Sequence, residues 1–246
     1  MTPPGRRMAY GPGPCRFGDL RLPQGPGPHP AAIVIHGGFW RNAYGLDHIG
    51  PLAAALARDG VATWTVEYRR LGDEGGGWPG TGEDIALAAG YLTEIAAWHH
   101  LDLARVVALG HSAGGHLALW LASRCPKALC GVIALAPVAD LRRAWELRLS
   151  NDAVAEFLGG SPEEAAQRYR EASPIERLPL GVPVRVLHGE RDEDVPIEIS
   201  RRFVEAAVAS GDDARLVAPA GVGHFEWIDP EAREWPLVRD AVRELL

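Results

Sequence analysis

Ser112 stands at the centre of Gly110-His111-Ser112-Ala113-Gly114-Gly115, a G-x-S-x-G pattern. A serine hydroxyl attacks a carbonyl only when a base takes its proton and N–H donors stabilise the oxyanion that forms. Other segments offer those groups. His36-Gly37-Gly38-Phe39-Trp40 carries two glycines whose bare backbone can turn its amides toward a substrate oxygen. The amides around Gly38 and Phe39, together with that of Ala113, are the candidate oxyanion donors. His224, in G-V-G-H-F-E-W-I-D-P, is the candidate base, and the acid must come from Glu190, Asp192, Glu193 or Asp194 in H-G-E-R-D-E-D-V-P. Of these, Glu190 and Glu193 read as solvated, leaving Asp192 and Asp194. Trp40 and His111, beside the oxyanion segment and the nucleophile, are the candidate substrate contacts, with Trp40 and His36 shaping the pocket wall.

The context of each segment is as informative as its letters. Ala31–His36, Val61–Tyr68, Arg105–Leu109, Gly131–Leu135, Val184–Leu187 and Arg215–Ala218 are short apolar or β-branched runs, the pattern of strands buried on both faces. Helical periodicity fills Leu46–Arg58, Glu83–Trp98, Ala113–Ser123, Ile197–Ser210 and Trp235–Leu246. One or two short strands are expected near residues 15–22. Alternation of this kind predicts an α/β fold with a mostly parallel sheet and helices on both faces. Ser112 then falls on a strand-to-helix turn, where the helix N-terminus aims free N–H groups and the positive end of its dipole at the oxyanion. His224 follows the last strand, so it opens onto the same sheet edge. The remaining histidines sit on helices, in the Pro-rich N-terminal segment, too close to Ser112 in sequence, or, as His188, at a strand end where packing is expected. Residues 138–182 break the rhythm with helical pieces and no strand, and are expected to lie over the strand C-terminal edge.

Bulk properties exclude several classes. A chain of 246 residues with 47% hydrophobic and 23% charged residues is expected to form a single domain over 1–246. A net charge of −7 without a basic cluster argues against nucleic acid. No apolar run of membrane-spanning length occurs, and the basic N-terminus lacks the apolar stretch of a signal peptide. Cys15, Cys125 and Cys130 form no metal-ligand spacing and suit reduced thiols in a cytoplasmic protein. No metal or organic cofactor is implied.

The four segments together resemble the α/β-hydrolase superfamily, in particular its small bacterial esterase and kynurenine-formamidase-like branch, related to prolyl oligopeptidase catalytic domains. The resemblance covers Tyr10 to the end. It places the acid on Asp192 and implies a Ser112–Asp192–His224 triad acting on a small-molecule ester or amide. Val66-Glu67-Tyr68-Arg69-Arg70 and Gly75–Thr81 also look like this branch, with no mechanistic role beyond shaping the site. Phe39 departs from the H-G-G-G form, which narrows the pocket and disfavours bulky lipids. The expected reaction is hydrolysis of a small carboxylic ester. Arylformamidase activity is the alternative, with Phe39, Trp40, Trp78 or Trp227 as an aromatic lining, and a non-catalytic binding protein is the alternative of another class.

Overall fold

The computed structural model describes residues 5–246. Its strands are β1 (Arg6–Ala9), β2 (Phe17–Arg21), β3 (His29–Ile35), β4 (Ala62–Val66), β5 (Leu101–His111), β6 (Gly131–Leu135), β7 (Val184–Leu187) and β8 (Ala214–Val217). They form one sheet in the order β1-β2-β4-β3-β5-β6-β7-β8. From β4 to β8 every neighbour is parallel, while β2 runs antiparallel to β1 and β4. The crossing order around β3 and β4 and the alternation with helices are those of the α/β-hydrolase fold.

Side chains alternate across the sheet with the two-residue period of a strand. Ile33 and Ile35 face one core, and Ala32 and Val34 face the other. The first core packs under α2 (Gly80–Ala96), α3 (Ala113–Arg124) and α7 (Glu198–Ala209), the second under α1 (Gly50–Arg58) and α8 (Trp235–Leu245). Helices therefore cover both faces, which is why β4 and β6 are buried along their whole length. Residues 138–182 hold α4 (Leu141–Glu146), α5 (Leu149–Leu158) and α6 (Ala166–Ala172) and no strand.

Several boundaries differ from the sequence reading. α2 begins at Gly80, because the glycine-rich loop closes into the helix behind Pro79. β5 runs on to His111, and β1 lies upstream of the expected window. β1 is an edge strand with Arg6 and Arg7 exposed, so no apolar pattern marks it. No helix among the described residues is long and apolar enough to cross a membrane.

Candidate active site

The register of the parallel strands brings the chemistry-bearing loops to one edge. Ile35 pairs with Gly110, Gly110 with Ala134, Leu135 with Leu187 and Leu187 with Val217. The residues just past β3, β5, β7 and β8 therefore emerge side by side, and they are the segments carrying Gly38, Ser112, Asp192 and His224.

Ser112 sits between β5 and α3 at φ 57° and ψ −119°, a conformation that non-glycine residues rarely hold. The surrounding structure enforces it: Ser112 donates its backbone N–H to Leu135 O at 2.7 Å, and its carbonyl accepts from His116 and Val138. The turn is tight because strand and helix almost touch. A Cβ on Gly110 would lie 2.1 Å from Gly114 O, and one on Gly114 would lie 2.1 Å from Ile35 O. Ser112 caps α3 through its position alone, with no side-chain capping bond, so its hydroxyl is not spent on the helix.

The His36–Trp40 segment leans directly on Ser112, since a Cβ on Gly37 would lie 3.0 Å from Ser112 Cβ. Phe39 and Trp40 have φ of 47° and 58°, and a turn is closed by Arg41 N–H donating to Gly38 O at 3.0 Å. Two successive left-handed non-glycine residues thus shape the turn by which the chain leaves β3. Arg41 then reaches into the 138–182 segment, donating to Ser150 O at 3.0 Å and pairing with Glu156 at 2.8 Å. The helical segment is thereby fastened to the loop after β3 at the strand C-terminal edge.

His224 Nδ1 lies 2.6 Å from Asp192 Oδ2. The other carboxylate oxygen accepts from Asp194 N–H at 2.9 Å and Val195 N–H at 2.8 Å. His188 Nε2 approaches Asp192 Oδ2 to 3.1 Å from beneath. Burial alone would push the Asp192 carboxyl up. The hydrogen bonds of His188 and His224, the His224 charge and the Val195 amide outweigh it and hold the group well below the usual carboxylate range. Asp194 contributes only its backbone to this arrangement and its side chain is exposed. His224 Nε2 and Ser112 Oγ make no hydrogen bond among the described residues, to each other or elsewhere. Contacts of this kind are often long until substrate binds. Asp192, Asp194 and His224 also present ligand atoms within 4.8 Å of one another, but two of the three are already committed to each other.

A sequence profile matches residues 19–207. The chain belongs to the BD-FAE family. Among curated proteins it is 28% identical to Esterase LipC of Mycobacterium tuberculosis over 91% of this chain and 60% of that one. It therefore spans less than two thirds of that relative. It is 24% identical to the uncharacterized peptidase YtmA of Bacillus subtilis, over 74% of this chain and 71% of that one. Among solved structures, a truncated carbohydrate esterase from gut microbiota superposes with TM-score 0.83 at 20% identity, covering 99% of this chain and 96% of that one. Esterase 2 of Thermogutta terrifontis does so with TM-score 0.80 at 22% identity, covering 100% and 95%. These likenesses carry the fold.

Within this BD-FAE chain, two side chains expected at the substrate are placed differently. Trp40 is fully buried, stacked on Phe157 at 4.4 Å, with its Nε1 donating to His116 Nδ1 at 3.2 Å. His111 is buried behind His224, its Nε2 2.9 Å from His224 O. Burial pushes its imidazole well below the ordinary value and His224 adds to this, so the neutral ring donates to that carbonyl and braces the histidine loop. His36, expected in the pocket wall, is also fully buried, and Trp227 likewise. Trp78 packs edge-on against Trp120 at 5.2 Å. The aromatics exposed beside the site are Tyr44 and Phe225, about half exposed, with the His48 ring between them at 5.6 and 5.8 Å. The sequence reading missed both. It also passed over His188 as packing, although His188 shares its loop with Asp192 and stands four residues before it.

Proposed function

We propose that one α/β-hydrolase domain spanning the chain acts as a serine esterase on small carboxylic esters. The observation that carries this reading is the Asp192–His224 pair, set on the same sheet edge as a strained serine at a helix N-terminus. Ser112 Oγ attacks the ester carbonyl as its proton passes to His224 Nε2. Asp192 holds Nδ1–H, which leaves Nε2 as the accepting nitrogen and stabilises the imidazolium. The oxyanion is received by the amide of Ala113 and an amide of the Gly38–Phe39 turn. His224 then gives its proton to the leaving alcohol. Water, deprotonated by the same nitrogen, attacks the acyl-enzyme, and collapse of that intermediate frees the acid and restores Ser112.

Relatives named as an esterase in Mycobacterium tuberculosis and as isoprenylcysteine alpha-carbonyl methylesterase in Arabidopsis thaliana support ester hydrolysis. Exposed Tyr44 and Phe225 suit a flat acyl or leaving group, which keeps N-formyl aryl amides as a second substrate class. The three unpaired cysteines suit the cytoplasm. The test is turnover of p-nitrophenyl butyrate and N-formylkynurenine by wild type and Ser112→Ala. Turnover lost in the variant is the expected result, with the ester preferred. Turnover that survives in the variant sinks the mechanism, and preference for the formamide reverses the order of substrates.

A further inference from the structure

The Val66–Arg70 run has no part in the reaction above, yet Glu67 is buried within it and holds both ends of the oxyanion segment. Its Oε1 meets His36 Nε2 at 2.8 Å, at the start of the segment. Its Oε2 accepts Leu46 N–H at 3.1 Å, at the far end. Tyr68 N–H and Arg70 Nη1 also reach Oε1, each at 3.1 Å. Arg70 in turn donates to Tyr44 O, two residues before Leu46. Tyr68 stacks on the His36 ring at 4.4 Å with planes 13° apart and donates its hydroxyl to His36 O at 2.8 Å. Glu67 is itself fixed: its backbone N–H donates to Phe17 O, and its carbonyl accepts the Tyr10 hydroxyl at 2.6 Å. Gly45 is open enough to let the carboxylate in, for a Cβ there would lie 2.9 Å from Oε2.

We propose that Glu67 is a positioning residue that clamps residues 36–46 at both ends and so sets the amides of the Gly38–Phe39 turn against Ser112. The assignment rests on the serine-esterase reading. Phe39 and Trp40 lie between the clamped ends in left-handed conformations that persist only where neighbours over-determine them. A segment released at either end would relax them and swing the donors away. Burial pushes the Glu67 carboxyl up, but His36, Arg70 and the Tyr68 amide prevail and keep it ionised below the usual range. A charged acceptor bonded to four donors is a stiffer anchor than a neutral one.

The experiment compares wild type, Glu67→Gln and Gly45→Ala. Glu67→Gln removes the charge at constant shape. Gly45→Ala pushes on Oε2 while removing none of the clamp groups, at a position whose extended backbone any residue adopts. Amide hydrogen exchange is followed over residues 36–46, with kcat and KM for p-nitrophenyl butyrate and affinity for an aryl trifluoromethyl ketone that mimics the oxyanion. In Glu67→Gln, exchange in the segment is expected to accelerate while β5 and α3 stay protected. Its kcat should fall about 10–100-fold with KM within about threefold, and ketone affinity should fall in step with kcat, as for a displaced oxyanion donor. Gly45→Ala should show the same pattern more weakly, and it decides the matter should Glu67→Gln not fold. A folded variant with wild-type kcat and unchanged exchange overturns the proposal, as does equal loss of protection across the chain. Absence of Ser112-dependent turnover in wild type would sink the esterase reading alone, and the exchange data would still decide whether Glu67 holds the segment.

Discussion

Replacing Asp192 by asparagine changes one atom and should stop the reaction, for a reason written in the hydrogen bonds. Asp192 Oδ1 accepts two backbone N–H groups, from Asp194 and Val195 at 2.9 and 2.8 Å. An asparagine must keep its carbonyl oxygen there, because an NH₂ would face two donors. Its NH₂ then takes the place of Oδ2, 2.6 Å from His224 Nδ1. An N–H at that site donates, so Nδ1 must accept and the His224 proton moves to Nε2. In the proposed mechanism that is the nitrogen that receives the Ser112 proton, and it no longer can. A triad locked in the wrong tautomer loses about 10⁴-fold in kcat, which at about 1.36 kcal/mol per tenfold is roughly 5 kcal/mol of transition-state stabilisation. Folding should suffer much less. His188 can exchange donor and acceptor roles with the Ser200 hydroxyl 2.7 Å away, and the main loss is the donor to Val195 O. One buried carbonyl left unpaired costs about 1–3 kcal/mol. The assay is kcat for p-nitrophenyl butyrate at neutral pH, beside urea unfolding of both proteins. A folded Asp192→Asn protein within tenfold of wild type would refute the tautomer argument.

Other expectations follow from particular contacts. His116 donates Nε2–H to Ala172 O and accepts Trp40 Nε1–H on Nδ1, so it must stay neutral, and burial lowers its pKa from 6.5 to about 4. A histidine depressed in this way contributes stability that is complete above its unfolded value and lost as pH falls from 6.5 toward about 4. The loss is on the order of 3 kcal/mol at about 1.36 kcal/mol per pH unit. Urea unfolding across this range should show it, and a His116→Asn variant as steep as wild type would count against it. Gly114→Ala drives a Cβ to 2.1 Å from Ile35 O and 2.5 Å from His36 O, neither of which can step aside. It should destabilise by about 1–3 kcal/mol or more and displace the Ser112 turn; an unchanged melting temperature would contradict the close approach. Asp84, fully buried, takes Arg16 Nε and Arg69 Nε at 2.8 Å and the Arg69 N–H at 3.0 Å. Asp84→Ala strands two half-buried guanidinium groups and should cost about 3–5 kcal/mol in urea unfolding; a loss under about 1 kcal/mol would mean that water compensates the arginines.

What the chain settled by itself was local. G-H-S-A-G-G encodes a strand-to-helix turn in part because Gly110 lets the strand meet the carbonyl of Gly114 four residues on, a requirement met within the motif, whereas Gly114 answers to the distant Ile35 and His36 carbonyls. The apolar runs that became β3 to β8 and the helices between them were equally legible, since two-residue and helical periodicity are properties of neighbours in sequence. Edge strand β1 escaped, being polar and partly exposed. Packing over long separations was decided by the tertiary structure alone. The residues did not choose between Asp192 and Asp194; the loop folds so that one carboxylate meets His224 while the other points to solvent. Trp40 and His111 have the right types and the right addresses for substrate contact, yet sheet order and helix packing bury both. Tyr44 and Phe225 emerge in their stead. Glu67 lies 31 residues from His36 and 21 from Leu46, and only the pairing of β3 with β4 brings the three together. A motif specifies a backbone conformation over a few residues. Which side chain ends at the surface and which beneath it depends on everything packed above, and that belongs to the fold as a whole.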